Sequence, residues 1–250
     1  MRIGETEIEA RTIAGPGDTT LVFLHEGLGS VSLWRDFPDR VASAVGLPAL
    51  VYSRRGYGGS SSVTLPRPVR FMHDEAAFLP EVLAAADVGR SVLIGHSDGA
   101  SIALLHAAAR PEGLRGLAVL APHVFVEELS IASIAKARVA FATTDLRAKL
   151  ARHHGTNVDV AFRGWNDVWL APEFRTWNIE DEVAKIRVPC AVVQGRDDEY
   201  GTLAQVESIR ARVPGAEVTV LEACGHSPHR DQPEATLAAI EALVRRALVD

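Results

Sequence analysis

The sequence predicts an α/β protein with a mostly parallel central sheet of seven or eight strands, flanked by helices and interrupted by a helical insertion. Short β-rich runs alternate with longer helical runs along most of the chain, as crossover connections between parallel strands require. The 250 residues suit one large domain, and 47% hydrophobic with 23% charged residues are typical of a packed globular protein. We therefore expect a core of residues 1–121 and 186–250, with an inserted helical cap at 122–185.

The predicted strands are short apolar runs, and residues 19–24 are apolar enough to be buried on both faces. Residues 8–13 and 19–24 flank the turn cluster Gly15-Pro16-Gly17-Asp18 and are expected to form a local meander. The other predicted strands are residues 49–52, 91–94, 116–120, 190–194 and 217–221.

The predicted helices are longer runs with apolar residues on one face, at residues 31–45, 73–86, 100–109, 202–213 and 234–248. Pro80 is expected to kink or split the second of them. The insertion holds helix-like runs such as 131–143, no convincing strand, and seven of the fifteen aromatic residues. Those aromatics favour a lid over the sheet edge, although they could instead pack into a small core of the insertion itself.

The charge balance and the cysteine content argue against several classes of protein. With 26 basic and 32 acidic residues, the formal charge is -6, without the basic face that nucleic-acid binding requires. No stretch approaches the roughly 18 uninterrupted apolar residues of a membrane span, and Cys190 and Cys224 form no metal-ligand motif. We expect a cytoplasmic protein with a small-molecule substrate and no nucleic-acid partner, membrane anchor, metal or cofactor; the sequence leaves the oligomeric state open.

A predicted junction between a strand and a helix holds the pattern Gly95-His96-Ser97-Asp98-Gly99. A turn this sharp forces the serine backbone into a strained conformation. It also leaves no room for side chains two residues to either side, so glycines are needed there. The pattern therefore makes Ser97 a candidate nucleophile.

A serine hydroxyl is a weak nucleophile until a histidine, held by a carboxylate, takes its proton. Both groups appear downstream, because Asp197 and Asp198 follow predicted strand 190–194 and His226 follows predicted strand 217–221. The carboxyl ends of parallel strands share one sheet edge, so these loops should converge with Ser97 there. Taken singly, each residue could be only a turn residue, a cap or half of an ion pair; together and in this order they favour a catalytic site.

In these residues the sequence resembles the α/β-hydrolase superfamily, whose nucleophile, acid and histidine follow this chain order. The resemblance implies that Ser97 is the nucleophile, that His226 is general base and then acid, and that Asp198 orients the imidazole. The family's acid usually stands three residues after the glycine, here Gly195, which favours Asp198 and leaves Asp197 as a turn carboxylate. Further matching stretches are His25-Glu26-Gly27-Leu28-Gly29, Arg55-Gly56-Tyr57-Gly58-Gly59-Ser60, and Gly225-His226 followed by Pro233-Glu234.

The resemblance also implies an oxyanion hole formed by the backbone N–H groups of Gly27 and Asp98. Two departures from the family stand beside it, because Glu26 replaces a common glycine and Asp98 stands where a neutral residue is frequent. These side chains either point away from the site or face it. If they face it, they would disfavour anionic substrates and favour hydroxylated or cationic ones.

Five residues are expected to contact the substrate: Glu26, His123, Phe125, Trp165 and Trp169. Four others are interpreted as structural, with His96 packing near the turn, His229 at the surface, and Arg54 and Arg55 as ionic residues beside the glycine loop.

A serine at the elbow excludes the relatives that use an aspartate nucleophile, the dehalogenases and epoxide hydrolases. The expected function is hydrolysis of a small, partly apolar carboxylic ester through an acyl-enzyme. Lactone, enol-lactone and thioester hydrolysis share this chemistry and stay open. Carbon–carbon bond hydrolysis in aromatic degradation also stays open, although the tryptophan common after the histidine in those relatives is missing after His226. An alternative of another class is a ligand-binding receptor on the same fold.

Overall fold

The central feature of the computed structural model, which describes residues 1–249, is a seven-stranded sheet beside a small N-terminal hairpin. In chain order the strands are β1 (Arg2–Ile3), β2 (Thr6–Glu7), β3 (Ala10–Ile13), β4 (Thr19–Leu24), β5 (Ala49–Tyr52), β6 (Arg90–His96), β7 (Leu114–Leu120), β8 (Cys190–Gly195) and β9 (Glu217–Leu221). The sheet order is β3-β5-β4-β6-β7-β8-β9, with β3 antiparallel to β5 and all other neighbours parallel. The predicted mostly parallel sheet is confirmed.

Strand β3 is the one strand of the large sheet whose pairing differs from the prediction. The expected meander would pair β3 with β4, the next strand along the chain. Instead β4 lies between β5 and β6, parallel to both, and β3 pairs with the free edge of β5. The meander is therefore wrong because both sides of β4 are already occupied.

Helices lie on both faces of this sheet, and others lie in the connection between β7 and β8. In chain order they are α1 (Phe37–Val45), α2 (Phe71–Ala85), α3 (Asp98–Ala108), α4 (Glu128–Thr143), α5 (Leu146–His154), α6 (Val158–Trp169), α7 (Glu180–Val183), α8 (Leu203–Arg212), α9 (Pro228–Asp231) and α10 (Pro233–Ala247). Residues 122–185, all of them described, contain α4 to α7 and contribute no strand to the sheet. Across residues 1–249 no helix has both the length and the apolar character to cross a membrane.

Two predicted helices differ in detail from the observed ones. The run 31–45 is not one helix, because a 3₁₀ turn at Val31–Trp34 is separated from α1 by Arg35, whose φ of 54° leaves the helical path. Conversely, α2 continues through Pro80, so of the predicted kink or split the split is wrong.

Helix α2 contains Pro80 and has a polar side chain of another helix near the carbonyl that loses its partner. A proline has no N–H for the carbonyl four residues earlier, here that of Ala76. The buried imidazole of His106 on α3 interacts with that carbonyl, and this interaction opposes the lowering of the His106 pKa by burial. The carbonyl that Pro80 leaves without a helical partner therefore still has a polar group beside it.

The parallel strands β4 to β8 are buried on both faces, as their continuous apolar runs predict, whereas the edge strand β9 is only partly buried. Successive side chains of a strand point to opposite faces. In β4, Leu21 and Phe23 pack in a core with α1 and α10, whereas Val22 and Leu24 pack in a second core with α2 and α3. The sheet is thus a rigid layer whose carboxyl edge carries the loops after β4, β6, β7, β8 and β9.

Candidate active site

Ser97 occupies the sharp turn between β6 and α3. Its φ of 53° and ψ of −119° form a backbone conformation that non-glycine residues rarely adopt. A Cβ atom at Gly95 would lie 2.4 Å from the carbonyl oxygen of Gly99, and one at Gly99 would lie 2.1 Å from that of Leu24. Neither glycine can be replaced without moving backbone, which explains the spacing of the motif.

Ser97, His226 and Asp198 form one hydrogen-bonded line. The Nε2 atom of His226 lies 2.9 Å from Oγ of Ser97, and its Nδ1 atom lies 2.9 Å from each carboxylate oxygen of Asp198. A carboxylate only accepts, so in the neutral imidazole the proton is on Nδ1 and Nε2 is free to accept from the serine hydroxyl. Asp197, the other candidate acid, is exposed.

The Asp198 carboxylate is fixed by three donors besides His226. Oδ1 accepts from the backbone N–H groups of Tyr200 at 2.8 Å and Gly201 at 3.2 Å, and Oδ2 accepts from Nε2 of Gln194 at 2.7 Å. Burial alone would raise the pKa of Asp198, but the hydrogen bond and charge of His226 outweigh it and the pKa is lowered. Asp198 is therefore a rigid, ionised partner for the imidazole.

His226 is held through its backbone as well as its ring. Its N–H donates to Oε2 of Glu199 at 3.2 Å, and its carbonyl accepts from Nε2 of His96 at 2.7 Å, so His96 has the structural role expected of it. Burial alone would lower the pKa of His226. The hydrogen bond and charge of Asp198, together with the charges of Glu199 and Glu26, raise the pKa above its ordinary value.

Neither of the two N–H groups expected to bind an oxyanion has a hydrogen-bond acceptor among the residues that the structure describes. Asp98 is the first residue of α3, where an N–H has no acceptor inside the helix. Gly27 lies against the indole of Trp165, and a Cβ atom at this position would lie 2.3 Å from the ring. Among residues 1–249 neither N–H donates to another backbone carbonyl.

A cavity of about 170 Å³ opens beside Ser97. Its wall is formed by Glu26, Gly27, Leu28, Ser97, His123, Ile134, Trp165, Trp169, Tyr200 and His226. Four of the five predicted substrate contacts are therefore on this wall. Leu28, Ile134 and Tyr200 were not predicted; the proximity of Tyr200 to Asp198 in the chain could have indicated it, whereas nothing local indicated Ile134.

Phe125 is the predicted contact that the structure places away from the cavity. Its backbone N–H and carbonyl face the amide side chain of Gln205, at 3.4 and 3.1 Å, and it forms an isolated bridge with Asn178. Phe125 thus connects the start of residues 122–185 to α8 through Gln205, and it does not contribute to the cavity wall.

The two carboxylates beside the Gly27 and Asp98 N–H groups, those of Glu26 and Asp98, point in different directions. Asp98 is fully buried, and its Oδ1 accepts from the indole N–H of Trp169 at 3.1 Å; burial raises its pKa. Glu26 faces the cavity with 22% of its side chain exposed, and its Oε2 lies 3.5 Å from Nδ1 of His96. Burial alone would raise the pKa of Glu26. The hydrogen bond and charge of His96 outweigh this effect and hold the pKa of Glu26 well below its usual range. Only Glu26 therefore brings negative charge to the cavity.

His229 is buried, contrary to the expectation of a surface position. Its ring packs between Trp34 and His96, each with ring centroids 4.9 Å away, and beside Phe37 at 5.6 Å. It supports the ring that holds the His226 carbonyl. Within the described chain no group of three or more His, Cys, Asp or Glu side chains is arranged to hold a metal ion.

Comparison with known proteins relates this geometry to a family. A curated relative, 2-succinyl-6-hydroxy-2,4-cyclohexadiene-1-carboxylate synthase of Enterobacter sp. (strain 638), is 26% identical over 97% of this chain and 98% of its own. The enol-lactonase from Burkholderia xenovorans LB400 matches with a TM-score of 0.75 at 18% identity, covering 97% of this chain and 98% of that one. An esterase from Exiguobacterium antarcticum matches with a TM-score of 0.75 at 20% identity, covering 96% of both chains.

The two solved structures show a shared fold, and a sequence model of the alpha/beta hydrolase family matches residues 21–240. That span contains the loop after β4, the turn at Ser97 and the loops that carry Asp198 and His226. With its seven-stranded sheet and the matching family model, the chain belongs to the alpha/beta hydrolase family.

Proposed function

We propose that the protein is a serine hydrolase that cleaves a small, partly apolar carboxylic ester through an acyl-enzyme. The observation that carries this proposal is the line of 2.9 Å contacts from Ser97 Oγ through His226 to Asp198, at the wall of a cavity. Acyl transfer requires a nucleophile that is hydrogen-bonded to a base, and a carboxylate that is hydrogen-bonded to that base and orients it.

In the acylation step Ser97 Oγ attacks the ester carbonyl carbon as its proton passes to Nε2 of His226. Asp198 stabilises the imidazolium that forms, because its lowered pKa keeps it ionised. The negative charge on the carbonyl oxygen is met by the N–H groups of Gly27 and Asp98. His226 then gives the proton to the departing alkoxide, so an alcohol leaves and the acyl group stays on Ser97.

Deacylation repeats these steps with water as the nucleophile. His226 takes a proton from the water, and the resulting hydroxyl adds to the acyl carbon. Collapse of the second tetrahedral intermediate breaks the bond to Ser97 Oγ, which recovers the proton from His226. The products are a carboxylic acid and the original enzyme.

The inserted segment, residues 122–185, supports a small and partly apolar substrate. We propose that it acts as a cap, because its Ile134, Trp165 and Trp169 form the apolar side of a cavity of only about 170 Å³. The hydrogen bond from Trp169 to Asp98 joins this cap to the turn that carries the nucleophile. Binding sites commonly combine such walls with a few polar groups.

The charges on the cavity wall favour neutral or cationic esters over anionic ones. Glu26 is ionised there, and none of the wall residues is Lys or Arg. His123 adds no positive charge, because burial lowers its pKa to about 3. The Enterobacter relative is named for a carboxylate product. A carboxylate on the substrate would find no cationic partner on this wall, so we prefer the ester hydrolase function.

A panel of short-chain and aromatic esters tests this function, with Ser97→Ala as the inactive control. We expect neutral aromatic esters to be hydrolysed by the wild type and not by Ser97→Ala above the background rate. If no ester is turned over above that control, the proposal fails. Faster turnover of a dienol-keto acid than of any ester would replace it with carbon–carbon bond hydrolysis. A single acylation event without turnover, combined with strong stabilisation by ligands, would replace it with a receptor function.

A further inference from the structure

Arg54 is a fully buried cation that forms no ion pair with a carboxylate among residues 1–249. The expected ionic role takes a different form in Arg54 and in its neighbour Arg55, which lies 3.1 Å from Glu75. Arg54 has no such close pair, and its charge only partly offsets the burial that raises the pKa of Asp98. The Arg54 guanidinium lies 4.9 Å from the ring centroid of Tyr57, and its hydrogen bonds go to backbone carbonyls. Burying such a charge is costly, so the groups that it contacts indicate its role.

The two carbonyls that Arg54 contacts belong to the loop after β4. Nη1 donates to the carbonyl of His25, and Nη2 donates to that of Glu26 at 3.1 Å. The Arg54 backbone N–H donates to Nε2 of His25 at 3.0 Å, so the His25 proton is on Nδ1, which donates to the Glu26 carbonyl at 2.7 Å. The N–H of Gly29 adds a third bond to that oxygen, at 3.1 Å.

The Glu26 carbonyl and the Gly27 N–H belong to the same peptide group. That peptide is trans, so its C=O and N–H point in opposite directions. Three donors on the carbonyl fix the plane of the group and leave the N–H on the side away from Arg54. Hydrogen bonds polarise one another along such a chain, so a cation on the oxygen makes the N–H a stronger donor.

We infer that Arg54 is a positioning residue that orients and polarises the Glu26–Gly27 peptide, which strengthens the Gly27 N–H as a donor to the oxyanion. The inference rests on the proposed function, because it assigns Arg54 to the transition state of that reaction. Its effect should therefore appear where negative charge develops on the substrate oxygen and be small for a bound neutral substrate.

Two inhibitors separate these states: 2,2,2-trifluoroacetophenone, which forms a charged tetrahedral adduct with an activated serine, and acetophenone, which binds as a neutral ketone. We expect Arg54→Met to lower kcat and trifluoroketone affinity together, by about 10- to 100-fold, since removal of a whole oxyanion donor costs 10²–10³ in kcat. KM and acetophenone inhibition should change by less than about twofold, because neither involves a developed charge. Arg55→Met, the matched loss of the neighbouring cation, should leave the ratio of the two inhibition constants unchanged.

Arg54→Lys keeps the buried charge and loses the forked geometry, so it should show a smaller loss in the same direction. If Arg54→Met does not fold, the two inhibition constants are compared between Arg54→Lys and the wild type instead. Equal weakening of both ketones in either variant, or an unchanged trifluoroketone constant, would overturn the role of Arg54. A wild type that does not distinguish the ketones, or a Ser97→Ala variant that distinguishes them equally well, would overturn the proposed function instead.

Discussion

Among single residues, His226 is the group whose protonation controls the proposed reaction. It must be neutral to take the proton of Ser97, and Asp198 raises its pKa above the ordinary 6.5. Below that raised pKa the imidazole is protonated and cannot act as the base. We therefore expect kcat/KM to rise with pH through a midpoint above 6.5.

Replacing Asp198 with Asn tests this electrostatic role. The change removes the hydrogen bond and charge that raise the His226 pKa, so the midpoint should move to lower pH. It also permits the wrong tautomer, and kcat should fall by roughly 10⁴-fold, as in other Ser-His-Asp sites. The pH profile of kcat/KM should be measured beside Asp197→Asn, a matched change at the exposed neighbour. Activity within tenfold of the wild type in Asp198→Asn would contradict this role.

Glu26 should determine the charge preference of the cavity. We expect Glu26→Gln to improve the kcat/KM of an ester with an anionic acyl chain about tenfold relative to its neutral analogue, because a nearby like charge is removed. The control is Glu222→Gln, which removes the same charge from an exposed side chain that pairs with Arg196. If the ratio is the same in both variants, Glu26 does not set the preference.

At the scale of elements, the hydrogen bond from Trp169 on α6 to Asp98 on α3 connects residues 122–185 to the turn that carries Ser97. Trp169→Phe keeps most of the ring and leaves a buried carboxyl group without this donor. Urea unfolding should show a loss of about 1–3 kcal/mol in the free energy of unfolding, the usual cost of an unsatisfied buried group.

Trp177→Phe is a matched control, because Trp177 is also buried and its indole N–H has no partner among the described residues. The same ring contraction there removes no hydrogen bond, so its loss should be smaller. Equal losses in the two variants would mean that the bond to Asp98 adds no stability.

The elements that the sequence predicted best are those fixed by local chemistry. The turn at Ser97 could be predicted from its residue pattern, although only Gly95 is required by a backbone contact within the strand–turn–helix unit, whereas Gly99 is required by the carbonyl of Leu24 on β4. The continuity of α2 could not be predicted, because the polar group beside the Ala76 carbonyl is His106, on another helix. Local rules for proline do not include a polar group supplied by a distant element.

At the scale of the whole molecule, the parallel sheet could be predicted because buried strands alternate with helices. The order of the strands also brings distant loops to one edge, which is why Asp198 and His226 could be placed near Ser97 from chain order. The positions of Phe125 and His229 could not be predicted, since they depend on packing between segments far apart in the chain. The role of Arg54 was missed for the same reason, because its partners lie in the loop after β4.

In the proposed reaction Ser97 is an activated nucleophile, and covalent labelling of its hydroxyl measures that activation. The protein would be treated with a small fluorophosphonate and weighed intact by mass spectrometry, beside Ser97→Ala, His226→Ala and the exposed control Ser43→Ala. We predict one adduct on the wild type and on Ser43→Ala, and none on Ser97→Ala or His226→Ala. An unlabelled wild type, or an adduct that persists in Ser97→Ala, would mean that Ser97 is not the activated nucleophile.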